Sequence, residues 1–182
     1  MRLLSRSVAC CPGAQGVGQN EVDEGIIYSG SAISVADSKG RFALPLEMRK
    51  MVRQSSEGKT TLCLAPHHDL KCAVGFGISH KKWLQADVLE QERVARDKGQ
   101  PFDLAQEMRR RLTDVEDLNF DDGGRFFVPD DIKEIQGFER AIVFAGVGIH
   151  IELWDPKTLL DSGACTPRLR RNVELFLSGG GK

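Results

Sequence analysis

The sequence predicts an α+β protein in which two copies of one β-hairpin unit pair within a single chain and carry helices at their flanks. Three observations predict it. DSKGRFALP at 37–45 and DDGGRFFVP at 121–129 share Asp, Gly, Arg, Phe and Pro at a spacing of 84 residues. After each copy come a short amphipathic stretch and then an apolar run of strand character, LEMRKMV and TTLCLA in the first, DDIKEIQ and RAIVFAG in the second. Helical periodicity occupies the segment between the copies and the segment after the second. A length of 182 residues with 41% hydrophobic and 28% charged residues fits one domain or two small ones with a real core.

Taken from the N-terminus, residues 1–26 combine a short apolar start interrupted by Arg2 and Arg6 with the Gly-rich stretch PGAQGVGQNEVDEG. The apolar part is too short for a secretory core, so a flexible extension is expected there. In the first unit, 27–79, ISVA at 33–36 alternates as a half-buried strand does. Asp37 and Gly40 then make a turn, since Asp can accept backbone N–H groups two residues on and Gly supplies a positive φ. RFALP reads as a second short strand, and Pro45 suits the first turn of a helix. The same reading applies to the second unit, 114–158, with Asp121 and Gly124 in the turn and Pro129 after the strand. Each unit ends near a Trp, Trp83 or Trp154, that introduces a helical pattern. Between them, 80–113 forms a helical connector, with helices expected at 79–98 and 102–112. Residues 159–182 supply a last helix, at 167–178 with Leu169, Val173, Phe176 and Leu177 on its stripe, and a loose Gly-rich end. Two strands alone are marginally stable, so each unit needs a partner sheet, most simply the other copy.

These residues resemble a known family. IYSGSAISVADSKGRFALPLEMRK at 27–50, DDGGRFFVPDDIKE at 121–134 and GIHIELWDPKT at 148–158 are similar, in collinear order, to the MraZ family of bacterial transcriptional regulators. The resemblance implies tandem AbrB/SpoVT-like units with swapped hairpins, forming an intramolecular pseudo-dimer. It also implies a homo-oligomeric ring that binds direct repeats in double-stranded promoter DNA of a cell-division and cell-wall gene cluster, as a repressor. Cytoplasmic, nucleoid-associated placement follows from the same resemblance. It places DNA contact at the DxxxR loops, on Lys39 and Arg41 of the first copy and Arg125 of the second, with Arg49 in the adjoining basic segment. Arg is suited to this work because its planar fork matches guanine O6/N7 and phosphate bidentately. Asp37, Gly40, Asp121 and Gly124 are then turn formers, and Phe42 and Phe126 are core residues.

Charge is unevenly spread. Residues 36–60 hold six basic side chains against three acidic, whereas 114–137 hold two basic against eight acidic. The net charge of −1 is therefore a sum over unlike halves, and the first copy is expected to dominate DNA contact. Within the same fold, a ring scaffold without DNA binding and an AbrB-type antitoxin are the alternatives. No enzyme, metal site, cofactor or small-molecule ligand is expected. His67, His68 and Asp69 are consecutive and read as an exposed turn after Pro66; His80 and His150 read as satisfied polar residues. GVG at 16–18 and GFG at 75–77 lack the strand–helix setting of a phosphate loop. The five cysteines show no CxxC spacing and read as free thiols. No apolar run approaches the ~20 residues that a membrane-spanning helix needs.

Overall fold

A computed structural model describes residues 26–179. The expected N-terminal extension, apart from Ile26, lies outside the described residues, as do Cys10, Cys11 and the last three residues. Both copies build the same series of elements. The first contributes β1 (Ser31–Val35), β2 (Phe42–Ala43), α1 (Leu46–Ser55), β3 (Thr61–Pro66) and β4 (Ala73–Phe76). The connector holds α2 (His80–Asp97) and α3 (Leu104–Leu112). The second copy contributes β5 (Glu116–Asn119), β6 (Arg125–Phe126), α4 (Asp130–Gln136), β7 (Ala141–Gly146) and β8 (Ile151–Trp154), followed by α5 (Pro156–Asp161) and α6 (Pro167–Leu177).

The strands do not segregate by copy. Six of them form one antiparallel sheet in the order β1-β7-β8-β4-β3-β5. Each copy's first strand lies on the edge of the other copy's hairpin: β1 pairs with β7, and β5 pairs with β3. Exchanging equivalent elements reverses the order and leaves it unchanged, so the chain carries an internal two-fold relation. In the middle of the sheet β4 meets β8 with Val74 opposite Glu152 and with Ala73 and Gly75 opposite Leu153 and Ile151. The short strands β2 and β6 form a second, two-stranded sheet in which Phe42 stands opposite Phe126.

Burial follows the alternation of the strands. Phe42, Leu44, Phe126 and Val128 turn inward from the small sheet and pack on Leu62, Leu64, Ile142, Phe144, Ile151 and Leu153 from one face of the large one. Met48 and Val52 of α1 and Ile132 of α4 close this core at its sides. The Phe126 and Phe144 rings meet edge to face, 6.4 Å between centroids. On the opposite face Val143 and Trp154 pack with Cys72, Leu159 of α5 and Val173 of α6. Over the remainder of that face lies the α2–α3 pair, tied down where Lys81 reaches Asp117 at 2.6 Å. Cys63 and Cys72 are buried and unoxidised, as small apolar residues would be. Burial, with Asp117 beside it, pushes the Cys63 thiol up to about 12, and burial raises that of Cys72 as well, so neither supplies a thiolate nucleophile near neutral pH.

The structure corrects two expectations. Pro45 and Pro129 sit at the N-cap, one residue before the helices, with φ near −54° and ψ of 143°. Their rings hold the chain extended at the point where the helix begins. The two tryptophans are not counterparts either. Trp154 ends β8 and is fully buried, whereas Trp83 lies inside α2. The structural counterpart of Trp154 is Phe76 at the end of β4, because the β4–β8 register relates Ala73 to Ile151 and Gly75 to Leu153. Residue type pairs the two tryptophans, but the strand register sets the correspondence.

Phe126→Ala should remove a fully buried ring at the contact between the copies. A loss of about 3–5 kcal/mol in urea unfolding is expected, and a loss below about 1 kcal/mol would show that the small sheet does not anchor the core.

Candidate nucleic-acid interface

Each turn closes in the same way. In the first, the Asp37 N–H donates to the Arg41 carbonyl and the Gly40 N–H donates to the Asp37 carbonyl, both at 2.9 Å. The Asp37 carboxylate accepts the N–H groups of Lys39 and Arg41, again at 2.9 Å. In the second, Asp121 and Gly124 repeat the backbone pair at 2.9 and 2.7 Å, and the Asp121 carboxylate accepts the Arg125 N–H at 2.9 Å. Gly40 and Gly124 have φ of 78° and 80°, a region that an L side chain enters only with strain. The backbone bond from Arg41 is the chief cause that holds the Asp37 carboxyl below its usual range, and that from Arg125 does the same for Asp121. Both remain ionised at neutral pH.

Pairing of β2 with β6 sets the two turns side by side, and their charges interlock. Arg41 donates from Nε to Asp37 at 2.9 Å, its Nη2 lies 2.8 Å from the same oxygen, and its Nη1 reaches across to Asp121 at 3.2 Å. Of the five N–H groups on a guanidinium, this leaves about two for a ligand. Arg125 is looser, 3.8 Å from Asp121, and its side chain is 50% exposed against 25% for Arg41. Lys39 is exposed at the tip of the first turn, with no carboxylate partner among the described residues.

The fourth predicted cation, Arg49, comes from α1 and donates to the Asp122 carbonyl at 2.7 Å. Sequence reasoning missed two members of this group, Arg53 and Asp122. Arg53 donates to the Asp122 carboxylate at 3.3 Å while its guanidinium lies over the Phe120 ring. A signal for both was present in the opposite charge balances of 36–60 and 114–137, which read as separate surfaces until the turns are placed together. Lys39, Arg41, Arg49, Arg53 and Arg125 surround Asp37, Asp121 and Asp122, so the paired turns are net positive on a chain of net charge −1. The arrangement presents a ridge of guanidinium groups already oriented by carboxylates, suited to a polyanion.

The two turn glycines are not equivalent. A Cβ on Gly40 would meet open space, whereas one on Gly124 would lie 3.0 Å from the Leu44 carbonyl oxygen and from Cδ of Arg49. Gly40→Ala should therefore cost only the backbone strain, about 1–2 kcal/mol, and Gly124→Ala should cost more and displace Arg49. Thermal unfolding of the two variants side by side checks this, and equal losses would contradict it.

No family model matches the chain. Curated relatives do. A transcriptional regulator MraZ of Delftia acidovorans is 30% identical over 132 residues, covering 72% of this chain and 84% of the relative. The same-named protein of Rhodospirillum rubrum is 28% identical over 144 residues, 78% of this chain and 87% of its own. That of Bordetella pertussis is 26% identical over 133 residues, 73% and 85%. Identity at this level, collinear over most of both chains, together with the doubled turn, shows that the chain belongs to the MraZ family of transcriptional regulators.

Proposed function

We propose that this regulator, a DNA-binding protein rather than an enzyme, contacts double-stranded promoter DNA through the paired turns. Arg41 and Arg125 are the central contacts, and Lys39 and Arg49 flank them. The observation that carries this reading is the pairing of β2 with β6, which sets both DxxxR turns on one ridge and brings Arg41 within reach of Asp121. On this reading 27–79 and 114–158 are two AbrB/SpoVT-like units exchanging strands, and 80–113 links them. Arg41, braced on two carboxylates, is pre-oriented for bidentate contact with a guanine edge or a phosphate. Arg125 and Lys39, both freer, suit phosphate, which tolerates varied approach.

A single ridge makes few phosphate contacts, so strength is expected from assembly. A homo-oligomeric ring placing several ridges on successive direct repeats gains avidity of ~10²–10⁴ without new contact types. Such a protein, acting as a repressor upstream of cell-division and cell-wall genes, would work in the cytoplasm on the nucleoid.

Binding to the DNA upstream of its own gene, titrated against salt, tests the reading. A steep negative slope of log K against log salt is expected, and a flat one would sink DNA binding. Arg41→Ala and Arg125→Ala should each weaken binding while moving the melting temperature little, because exposed ion pairs contribute only about 0–1 kcal/mol. The loss of affinity should be larger for Arg41→Ala, whose guanidinium is pre-oriented by two carboxylates. An equal or larger loss from Arg125→Ala would contradict the dominance of the first copy.

The acidic second turn also makes a signed prediction. Asp122→Asn removes a carboxylate that neutralises Arg53 and repels phosphate. Affinity for DNA should rise about two- to tenfold at low salt, and the gain should shrink as salt screens the charge. A fall in affinity would mean that Asp122 acts by holding Arg53 in place.

A further inference from the structure

The sheet face opposite the turns holds a feature that the proposed DNA reading leaves unused. A cavity of about 220 Å³ lies between β3, β4 and the α2–α3 pair, and it collects all four histidines of the chain with Arg110 and Arg111. These residues are far apart in sequence. His67 and His68 follow β3, His80 opens α2, the arginines come from α3, and His150 precedes β8.

Its walls divide by chemistry. One side is aromatic: His80 stacks on Trp83 with centroids 4.9 Å apart and planes 15° from parallel, and it tilts against Phe76 at 4.7 Å. The other side is cationic. Arg110 donates to Asp69 at 2.8 Å, and Arg111 stands 3.7 Å from Asp87, so each guanidinium keeps further N–H groups uncommitted. Asp69 is the single carboxylate in the lining. Nδ1 of His67 accepts the N–H groups of Asp69 and Leu70 at 3.0 and 3.1 Å, which fixes the proton of the neutral ring on Nε2 and makes that atom a donor. His150, read from sequence as a satisfied polar residue, instead has its Nε2 buried with no hydrogen-bond partner.

We propose that this cavity is a binding site for a small planar aromatic acid, one ring bearing a carboxylate, with the ring against Trp83 and the acid toward Arg110 and Arg111. Size sets the limit on the ring. A dry cavity of about 150 Å³ accepts benzene, and drug-sized ligands need roughly 300 Å³ or more. The recess has a mouth open to solvent on the Asp69–Arg110 side, and its volume of about 220 Å³ holds one ring with a small substituent. Charge sets the acid. The two arginines are braced on Asp69 and Asp87, and after burial they are the main causes lowering the pKa of His68, so an incoming carboxylate meets guanidinium donors already oriented toward the recess. A metal is a poorer occupant, since among the described residues no three His, Cys, Asp or Glu side chains converge on one point. Sequence reasoning expects no small ligand, because it reads the four histidines separately.

Titration of the full chain with benzoate, followed by calorimetry and by Trp83 fluorescence, tests the site. Benzoate should saturate at one per chain, with benzamide, acetate and inorganic phosphate each at least about tenfold weaker, the scale of one lost charge-assisted bond or one lost ring contact. The double variant Arg110→Gln/Arg111→Gln should weaken benzoate about tenfold or more while leaving the melting temperature and circular dichroism unchanged. Trp83→Leu should weaken benzoate and leave acetate unaffected. Benzoate binding no tighter than acetate, phosphate binding as tight as benzoate, or benzoate binding unchanged in the arginine variant would each overturn the proposal.

Discussion

Antiparallel pairing of β2 with β6, which sets Phe42 opposite Phe126, is the constraint on which the remaining structure depends. Two strands of two residues cannot stand alone in water. They persist because both rings are buried against Leu62, Leu64, Ile142 and Phe144, and because β1 and β5 are each held on the other copy's hairpin. The exchange has a direct consequence for the core. Neither copy has a complete sheet without the other's first strand, so the interior can form only when both are present. It also fixes the position of the turns, because the residues just before β2 and β6 must lie together at one end of the pair.

That placement converts two modest charge patterns into one surface. Asp121 and Asp122 belong to the acidic copy, yet their nearest cations are Arg41 and Arg53 of the basic one. Exposed ion pairs of this kind contribute little to stability, about 0–1 kcal/mol each. Their value lies in orientation, since a guanidinium already braced on two carboxylates loses less rotamer freedom when it meets a third anion. The same carboxylates lower the local positive potential. The ridge therefore trades raw electrostatic attraction for geometry, which fits a protein that gathers affinity from repeated sites.

Much of this was legible in the residues. The doubled D-x-x-G-R turn located the β1–β2 and β5–β6 connections, although these strands pair across the copies and do not form hairpins with each other. The apolar alternation placed Phe42, Leu44, Phe126 and Val128 inside, and the helical stripes marked α2, α3 and α6. The strand exchange was not readable from pattern, because alternation specifies which face a residue takes and leaves open which strand lies beside it. Register also undid the matching of Trp83 with Trp154. At the site, Asp122 and Arg53 escaped notice because the residues that neutralise each other are 69 apart in the chain. The histidines escaped for the same reason: each is unremarkable in its own segment, and only the packing of α2 and α3 over β3 and β4 unites them.

Hydrogen exchange on the intact protein tests the interlocked pair most directly. The Leu44 N–H bonds to the Gly124 carbonyl, Ala36 to Arg140 and Phe120 to Thr60, at 2.8, 2.8 and 3.0 Å. All three bonds cross between the copies. If the copies form one cooperative body, these amides exchange only through global opening, with one common free energy, and in Phe126→Ala they lose protection together. Protection of Leu44 and Ala36 that survives while Phe120 and the second copy exchange would contradict the account.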